Sequence, residues 1–151
     1  MGERGASGGQ RWMDLPLPVR AEVQGWARAS YPREGCGLLL GRASTGASRV
    51  VRATLARNGR LEERGDRYEI DPADHLAAWK AAEAEGLEVV GAWHSHPDHA
   101  PIPSATDLAE AHEGLSYLIV AVTQAGAGEL RAWRLAASAS ERRFVEEALR
   151  P

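Results

Sequence analysis

Two histidines separated by one residue are the side chains of this sequence best suited to binding a metal. His94 and His96 lie at the end of a segment, residues 88–95, that is rich in valine and tryptophan and is predicted to be a strand. Side chains at positions i and i+2 of a strand share a face, so both imidazoles approach one point while Ser95 points away. A carboxylate from Asp107 completes a predicted set of three ligands for zinc.

The loop between the histidines and Asp107 is stiffened by proline. Pro97 ends the strand, and Pro101 and Pro103 restrict the loop, which lowers the entropy lost when a third ligand is held nearby. A helix is predicted to start at Ser104. Ser104-x-x-Asp107 also matches a capping box, in which a serine caps the helix and an acidic side chain reaches back to it. As a metal ligand and as a capping residue, Asp107 would use the same carboxylate oxygen, so the two roles compete.

A zinc site with three protein ligands leaves a fourth position for water, which is typical of catalytic sites. Zinc lowers the pKa of bound water from 15.7 to about 7, and a nearby carboxylate can take its proton. Glu34 is the candidate base because it immediately precedes a predicted buried strand, residues 36–40. The alternative interpretation is that Glu34 only forms an ion pair at the start of this strand. Four other acidic residues stay open as the base: Glu63, Glu69, Glu110 and Glu113.

Helices and strands are predicted throughout the chain around these residues. The predicted helices cover 18–30 and 71–86, a segment that starts at Ser104, and a last segment capped by Ser140, whose Phe144, Val145, Ala148 and Leu149 recur at helical spacing. The predicted strands cover residues 36–40, 49–55, 68–70, 88–95, 116–122 and 129–135, with a turn at Asn58-Gly59 and a charged loop at 60–67. Neighbouring strands are placed to pair antiparallel. The expected fold class is therefore α+β, an α/β sandwich with a mixed, largely antiparallel sheet flanked by helices.

The length of 151 residues corresponds to one domain with a single core. Residues 1–13 are predicted to be a flexible N-terminal tail, because Gly2 to Arg11 are rich in glycine, serine and charge, and 14–151 a single domain. Met1 and Met13 are both candidate start residues. The tail and the final predicted helix leave surface for a homodimer, which the residue pattern does not require.

Composition argues against several classes of partner. The net charge of −3 gives no general attraction to nucleic acid or to an anionic membrane. No apolar run reaches the roughly 20 residues that a membrane helix needs. The single cysteine, Cys36, cannot form an intramolecular disulfide, which favours a reducing, cytoplasmic compartment. Cys36 is interpreted as a packing residue, with a Cys-His hydrolase as the less favoured alternative. His75, His99 and His112 are expected to be solvated, with contact to a substrate as the alternative for His99 in the proline-containing loop.

The motif EGCGLLLG at residues 34–41, together with His94-x-His96 and Ser104-x-x-Asp107, resembles the JAMM metallopeptidases, the catalytic branch of the MPN domain. The resemblance extends over residues 15–135 and implies an MPN/cytidine-deaminase-like fold. It implies one zinc ion per chain held by His94, His96 and Asp107. It also implies Glu34 as general base and acid, and Ser104 as a residue that stabilises the tetrahedral intermediate.

The same resemblance implies a substrate class. It predicts a small prokaryotic-type member that hydrolyses an amide or isopeptide bond at the C-terminal end of a ubiquitin-like or sulfur-carrier protein. Substrate choice is then expected from two loops, residues 60–67 and 98–103. Two other functions stay open: a non-catalytic MPN-type scaffold that binds a protein, and a zinc-dependent hydrolase of small amides.

Overall fold

The computed structural model describes residues 10–58, 69–137 and 141–151. Seven strands are present among these residues: β1 (Trp12–Asp14), β2 (Cys36–Ala43), β3 (Ala47–Ala53), β4 (Glu88–Pro97), β5 (Ser116–Thr123), β6 (Gly126–Ala137) and β7 (Arg142–Arg150). Three helices accompany them: α1 (Leu17–Ser30), α2 (Pro72–Ala84) and α3 (Ala105–Glu110). The strands form a closed barrel in the order β1-β3-β2-β4-β5-β6-β7, because β1 pairs with both β3 and β7.

The pairing of the strands is mixed. Strand β1 runs parallel to β3 and β7, and β4 runs parallel to β5. The pairs β2–β3, β2–β4, β5–β6 and β6–β7 are antiparallel. A mixed sheet with accompanying helices agrees with the predicted α+β class. The structure adds the closure of the sheet into a barrel, which leaves no free edge between β1 and β7.

The prediction of a last helix is wrong, because residues 142–150 form strand β7. Strand β7 hydrogen-bonds to β6 on one side and to β1 on the other. Its Phe144 ring packs edge-on against Tyr117, with 5.8 Å between the ring centroids. Pairing on both edges outweighs a short apolar pattern of helical period. The predicted cap, Ser140, lies outside the described residues.

The N-terminal boundary also differs from the prediction, which includes Trp12 and Met13 in a flexible tail. Both residues belong to β1, and the side chain of Met13 is completely buried. The Arg150 guanidinium stacks over the Trp12 ring at 4.0 Å from its centroid. A three-residue strand is difficult to predict from its own sequence, since its stability comes from the two neighbours that it joins.

The predictions of the first two helices are confirmed. In α1, Val19, Val23 and Ala27 are buried on one face, and the helix ends before Pro32. Helix α2 begins after Asp71, whose side chain accepts a hydrogen bond from the backbone N–H of Ala73. The predicted strand at 68–70 is reduced to a single bridge between Ile70 and Asn58, and Tyr68, Gly59 and the loop 60–67 lie outside the described residues.

Tight packing between β2, β3 and β4 fixes the part of the sheet that carries the histidines. Trp93 is completely buried, stacks on Trp26, and donates a hydrogen bond from Nε1 to the carbonyl oxygen of Thr54 at 2.8 Å. A Cβ atom on Gly37 would lie 1.8 Å from that oxygen. Glycine at residue 37 permits this approach and also leaves room for Nε1 of Trp93, so β2 packs closely against β4 and against the backbone that follows β3.

Candidate metal centre

His94 and His96 lie near the C-terminal end of β4, which is flanked by β2 and β5. His94 is paired with Cys36 of β2 and with Ile119 of β5, so the strand is held on both sides. The residues are 1% and 8% exposed. The alternation of side chains along β4 directs both imidazoles to one face, as the sequence predicts.

Three ligand atoms converge at this face. His94 Nε2 lies 3.2 Å from His96 Nε2, and these two nitrogens lie 3.2 Å and 3.1 Å from Asp107 Oδ2. A tetrahedral zinc ion with bonds of about 2.0–2.1 Å keeps its ligand atoms about 3.3 Å apart. The triangle therefore fits zinc both in its size and in its donor set of two imidazoles and one carboxylate. His94, His96 and Asp107 are called the metal-binding triad below.

Hydrogen bonding outside the triad orients His96. Its Nδ1 lies 2.9 Å from the carbonyl oxygen of Ala100, an acceptor, so Nδ1 carries the proton. The Nε2 lone pair is then available for a metal, which is the usual arrangement of metal-binding histidines. Burial lowers the pKa of His94, which favours the neutral ring that a metal requires.

Burial and the neighbouring polar groups shift the pKa values of Asp107 and His96 in opposite directions. Burial raises the pKa of Asp107, but the adjacent Nε2 atoms of His94 and His96, which donate to the carboxylate whenever they are protonated, outweigh it and hold the pKa well below its usual range. Burial alone would lower the pKa of His96. The hydrogen bond that the protonated ring donates to Asp107, together with smaller contributions that include the charge of Glu34, outweighs burial and raises this pKa. The carboxylate is thus ionised and electrostatically suited to a cation.

The capping box at α3 is present together with the convergence of ligands. Ser104 Oγ accepts a hydrogen bond from the Asp107 N–H at 3.0 Å, and the Ser104 N–H donates to Asp107 Oδ2 at 2.9 Å. The same Oδ2 atom faces both histidines. A carboxylate oxygen has two lone pairs, so one oxygen serves both roles, and the two interpretations are compatible. The cap fixes the carboxylate at a rigid helix start.

Glu34 lies beside the triad, in a buried position between two cavities. It is 6% exposed and lines a cavity of about 470 Å³ together with His96 and Ser104, called the site cavity below. It also lines a second cavity, of about 670 Å³, formed with residues that include Gly35 and Asn58. Of the alternative bases, Glu69, Glu110 and Glu113 are exposed and do not line the site cavity, and Glu63 lies outside the described residues.

Two residues that the sequence did not point to, Ser95 and Asn58, hold the backbone at Glu34 and Gly35 in place. Ser95, on the opposite face from the histidines, is completely buried and accepts a hydrogen bond from the Gly35 N–H at 2.8 Å, while the Ser95 N–H donates to the Gly35 carbonyl. The Asn58 side-chain amide donates to the Glu34 carbonyl oxygen at 3.1 Å. The sequence carries no signal for these contacts, because they depend on the register of β2 against β4, which pairs Cys36 with His94 and so brings residue 35 opposite residue 95.

The remaining histidines and the cysteine are not members of the metal-binding triad, although His99 lines the site cavity. Burial, with the charges of Glu34 and Asp74, raises the pKa of Cys36 to about 12, so its thiol stays protonated. This disfavours the Cys-His hydrolase and agrees with a packing role. The three other histidines are exposed, as predicted: His75, His99 and His112.

Comparison with known proteins identifies the family. Residues 16–136 match the model described as prokaryotic homologs of the JAB domain. The chain belongs to this JAMM-type family. A solution structure of a protein from Desulfitobacterium hafniense superposes with a TM-score of 0.74 at 27% identity, covering 91% of this chain and 92% of that one.

Three curated relatives of this JAB-family chain carry functional names. A desampylase from Haloferax volcanii is 40% identical over 62% of this chain and 66% of its own length. A probable TtuB-protein conjugate cleaving protease from Thermus thermophilus is 32% identical over 78% of this chain and 77% of its own. A CysO-cysteine peptidase from Mycobacterium tuberculosis is 32% identical over 72% and 73%. The family is thus one of hydrolases. No helix in the described ranges has both the length and the apolar character to cross a membrane.

Proposed function

We propose that the chain is a cytoplasmic, zinc-dependent peptidase that hydrolyses an amide bond formed by the C-terminus of a ubiquitin-like or sulfur-carrier protein. The observation that carries the proposal is the convergence of two imidazole nitrogens and one carboxylate oxygen, 3.1–3.2 Å apart, next to Glu34. Two bond types are candidates, in line with the relatives' names: an isopeptide bond to a conjugated protein, and a peptide bond to a single amino acid such as cysteine.

His94, His96 and Asp107 would hold the zinc ion. When bound, zinc would supply Lewis-acid polarisation of the scissile carbonyl. Glu34, buried at the wall of the site cavity, takes the proton of the attacking water and delivers it to the departing amine. Its burial excludes bulk water, which would otherwise compete for that proton.

Ser104 stabilises the negative charge that develops on the carbonyl oxygen. Its Oγ accepts a hydrogen bond from the Asp107 N–H, so the hydroxyl proton is directed elsewhere and is available as a donor. Ser104 lines the site cavity together with Glu34, on the side of the helix start. A donor held rigidly by a helix cap stabilises an oxyanion without first reorganising.

The scaffold alternative is less favoured, because a protein-binding role does not require three ligand atoms at metal-binding distances. Metal analysis after mild purification distinguishes the two. We expect about one equivalent of zinc per chain, whereas less than about one-tenth of an equivalent would favour the scaffold.

Substitution of Glu34 tests the assignment of the base. Glu34→Gln keeps the size of the side chain and removes its basicity. We expect unchanged zinc content and a loss of about 10²- to 10⁴-fold in the hydrolysis of a carrier whose Gly-Gly end is joined to a further residue. The matched control is Glu113→Gln, at an exposed glutamate. Full activity in Glu34→Gln would reject Glu34 as the base. Cleavage of small amides, but not of the carrier, by the unsubstituted protein would favour the small-amide hydrolase.

A further inference from the structure

The backbone at Asp98 is unusual. Its φ angle is +61°, and within the described ranges it is the only residue other than glycine with a positive φ. Side chains make this conformation unfavourable, although aspartate tolerates it better than most residues, and glycine adopts it freely. A carboxylate at residue 98 therefore has a conformational cost that glycine would avoid. Such outliers concentrate at functional sites.

Two contacts fix the position of the Asp98 side chain. The Asp98 N–H donates a hydrogen bond to the carbonyl oxygen of Val122 at 2.7 Å, which anchors the loop to β5. The Tyr31 hydroxyl lies 3.0 Å from both carboxylate oxygens and donates to them. The carboxylate is exposed but held in a defined place at the rim of the site.

Asp98 lines the site cavity, the same space that Glu34, His96 and Ser104 line. Among the described residues that line this cavity there is no lysine or arginine. Asp98 therefore has no lysine or arginine as a charge partner among these residues. A substrate group that enters near Asp98 is repelled if it is anionic.

The chemistry of the substrate indicates which group this is. A Gly-Gly end has no side chains and covers about 7 Å on the acyl side of the bond. Asp98 follows His96 by two residues, so its backbone lies within a similar distance of a triad residue. At this range, a charged group comes from the amine side. A departing amino acid has its own carboxylate next to the nitrogen, whereas a departing lysine side chain presents methylene groups.

We propose that Asp98 disfavours departing amino acids with a free carboxylate, and so directs the enzyme toward lysine-linked protein conjugates. This specificity rests on the proposed function and chooses between its two candidate bond types. Asp98 acts here through charge repulsion at the rim of the site cavity, and Tyr31 positions it.

The test uses three substrates built on one carrier domain that ends in Gly-Gly. The carrier is joined to cysteine with a free carboxylate, to cysteine amide, or to a lysine side chain through an isopeptide bond. We expect the wild-type protein to cleave the amide about three- to tenfold better than the acid, in kcat/KM at low salt, and the lysine conjugate at least as well as the amide. Added salt narrows the difference between acid and amide.

Two variants test the residue itself. Asp98→Asn removes the charge, and Asp98→Gly removes the whole side chain at a φ angle that glycine accepts, so at least one is expected to fold normally. In both, we expect acid and amide to be cleaved within about twofold of each other. Tyr31→Phe keeps the charge but frees the carboxylate, and an intermediate difference is expected.

The outcomes separate this inference from the proposed function. Equal cleavage of acid and amide by the wild type, or a difference that persists in both Asp98 variants, overturns the role of Asp98. Absence of cleavage of all three carriers by the zinc-loaded protein overturns the proposed function instead. In that case, binding of the acid and amide carriers to Glu34→Gln, with and without Asp98→Asn, still tests the role of Asp98. Tighter binding of the amide that is lost on Asp98→Asn supports the proposal, and equal affinities reject it.

Discussion

Two groups of buried polar side chains lie near opposite ends of strand β4. The metal-binding triad occupies its C-terminal end. Near its start, Gly91 is paired with Ser116, whose hydroxyl lies 2.8 Å from that of Ser48 and accepts a hydrogen bond from Arg134 at 3.3 Å. In this serine group, Ser48 and Ser116 with Arg134, each hydrogen-bond donor faces an acceptor. In the triad, His96 Nε2 and Asp107 Oδ2 are both acceptors, only 3.1 Å apart.

This difference separates structural polarity from functional polarity. Buried polar groups contribute to stability when each finds a partner, as the serine group does. Acceptors that face one another need a shared proton or a cation, and a divalent cation satisfies all three triad atoms at once. Similar burial thus has opposite consequences at the two ends of the strand, and substitutions there are expected to affect different properties.

The largest effect is expected from His94→Ala. Loss of one of three ligands should reduce bound zinc below about one-tenth of an equivalent and turnover by at least about 10³-fold. Metal analysis and a carrier-cleavage assay measure both. Asp107→Asn, which removes charge but keeps an oxygen for the helix cap, should behave similarly. Retention of a full equivalent of zinc in both variants would contradict the triad.

The second largest effect is expected far from the triad, at Glu147. This carboxylate is 2% exposed and accepts a hydrogen bond from Arg11 at 3.0 Å, with Arg134 at 4.0 Å. Glu147→Ala should lower the free energy of unfolding by about 3 kcal/mol, because the guanidinium groups of Arg11 and Arg134 lose their carboxylate partner. The zinc content should be unchanged. Urea unfolding measures the loss. The control is Glu146→Ala at the neighbouring residue. Since Glu146 is exposed, this substitution should lower the free energy of unfolding by about 0.5 kcal/mol or less.

A matched pair of buried serines gives the smallest and most selective effects. Ser95→Ala removes the acceptor of the Gly35 N–H and should lower kcat about tenfold through displacement of Glu34, with KM and zinc content little changed. Ser48→Ala should lower the free energy of unfolding by about 1 kcal/mol and leave kcat unchanged. Ser95→Thr, which keeps the hydroxyl, should recover part of the activity. Equal kcat values for Ser95→Ala and Ser48→Ala would mean that Ser95 does not position Glu34.

Short-range patterns carried most of the predictions that succeeded. Alternation along a strand was sufficient to bring His94 and His96 to one face, and the caps at Asp71 and Ser104 were visible in a few adjacent residues. These features depend on backbone geometry within one element, which neighbouring residues dictate. The family resemblance rested on the same short motifs and was confirmed by the match over residues 16–136.

The incorrect predictions depend on strand pairing, most of all on β1, which joins residues distant in the chain. Residues 142–150 have an apolar pattern that suits a helix, yet β6 and β1 both offer strand edges to them. Met13 looks like part of a polar tail until β3 and β7 enclose it. The pairings of β1 with β3 and β7 join residues far apart in the chain, so local propensity gave the wrong element at residues 142–150 and the wrong boundary at residue 13.

The sequence by itself determined the ligand types, their spacing along β4 and α3, and the membership of the JAMM-type family, because each follows from residues close together in the chain. Tertiary structure alone decided the closure of the barrel, the sharing of Asp107 Oδ2 between cap and triad, and the placement of Ser95 behind Glu34. It also brought Tyr31 against Asp98. The contacts of Ser95 with Gly35 and of Tyr31 with Asp98 join residues far apart in sequence, and the packing of the whole sheet sets their distances and the position of α3 against β4.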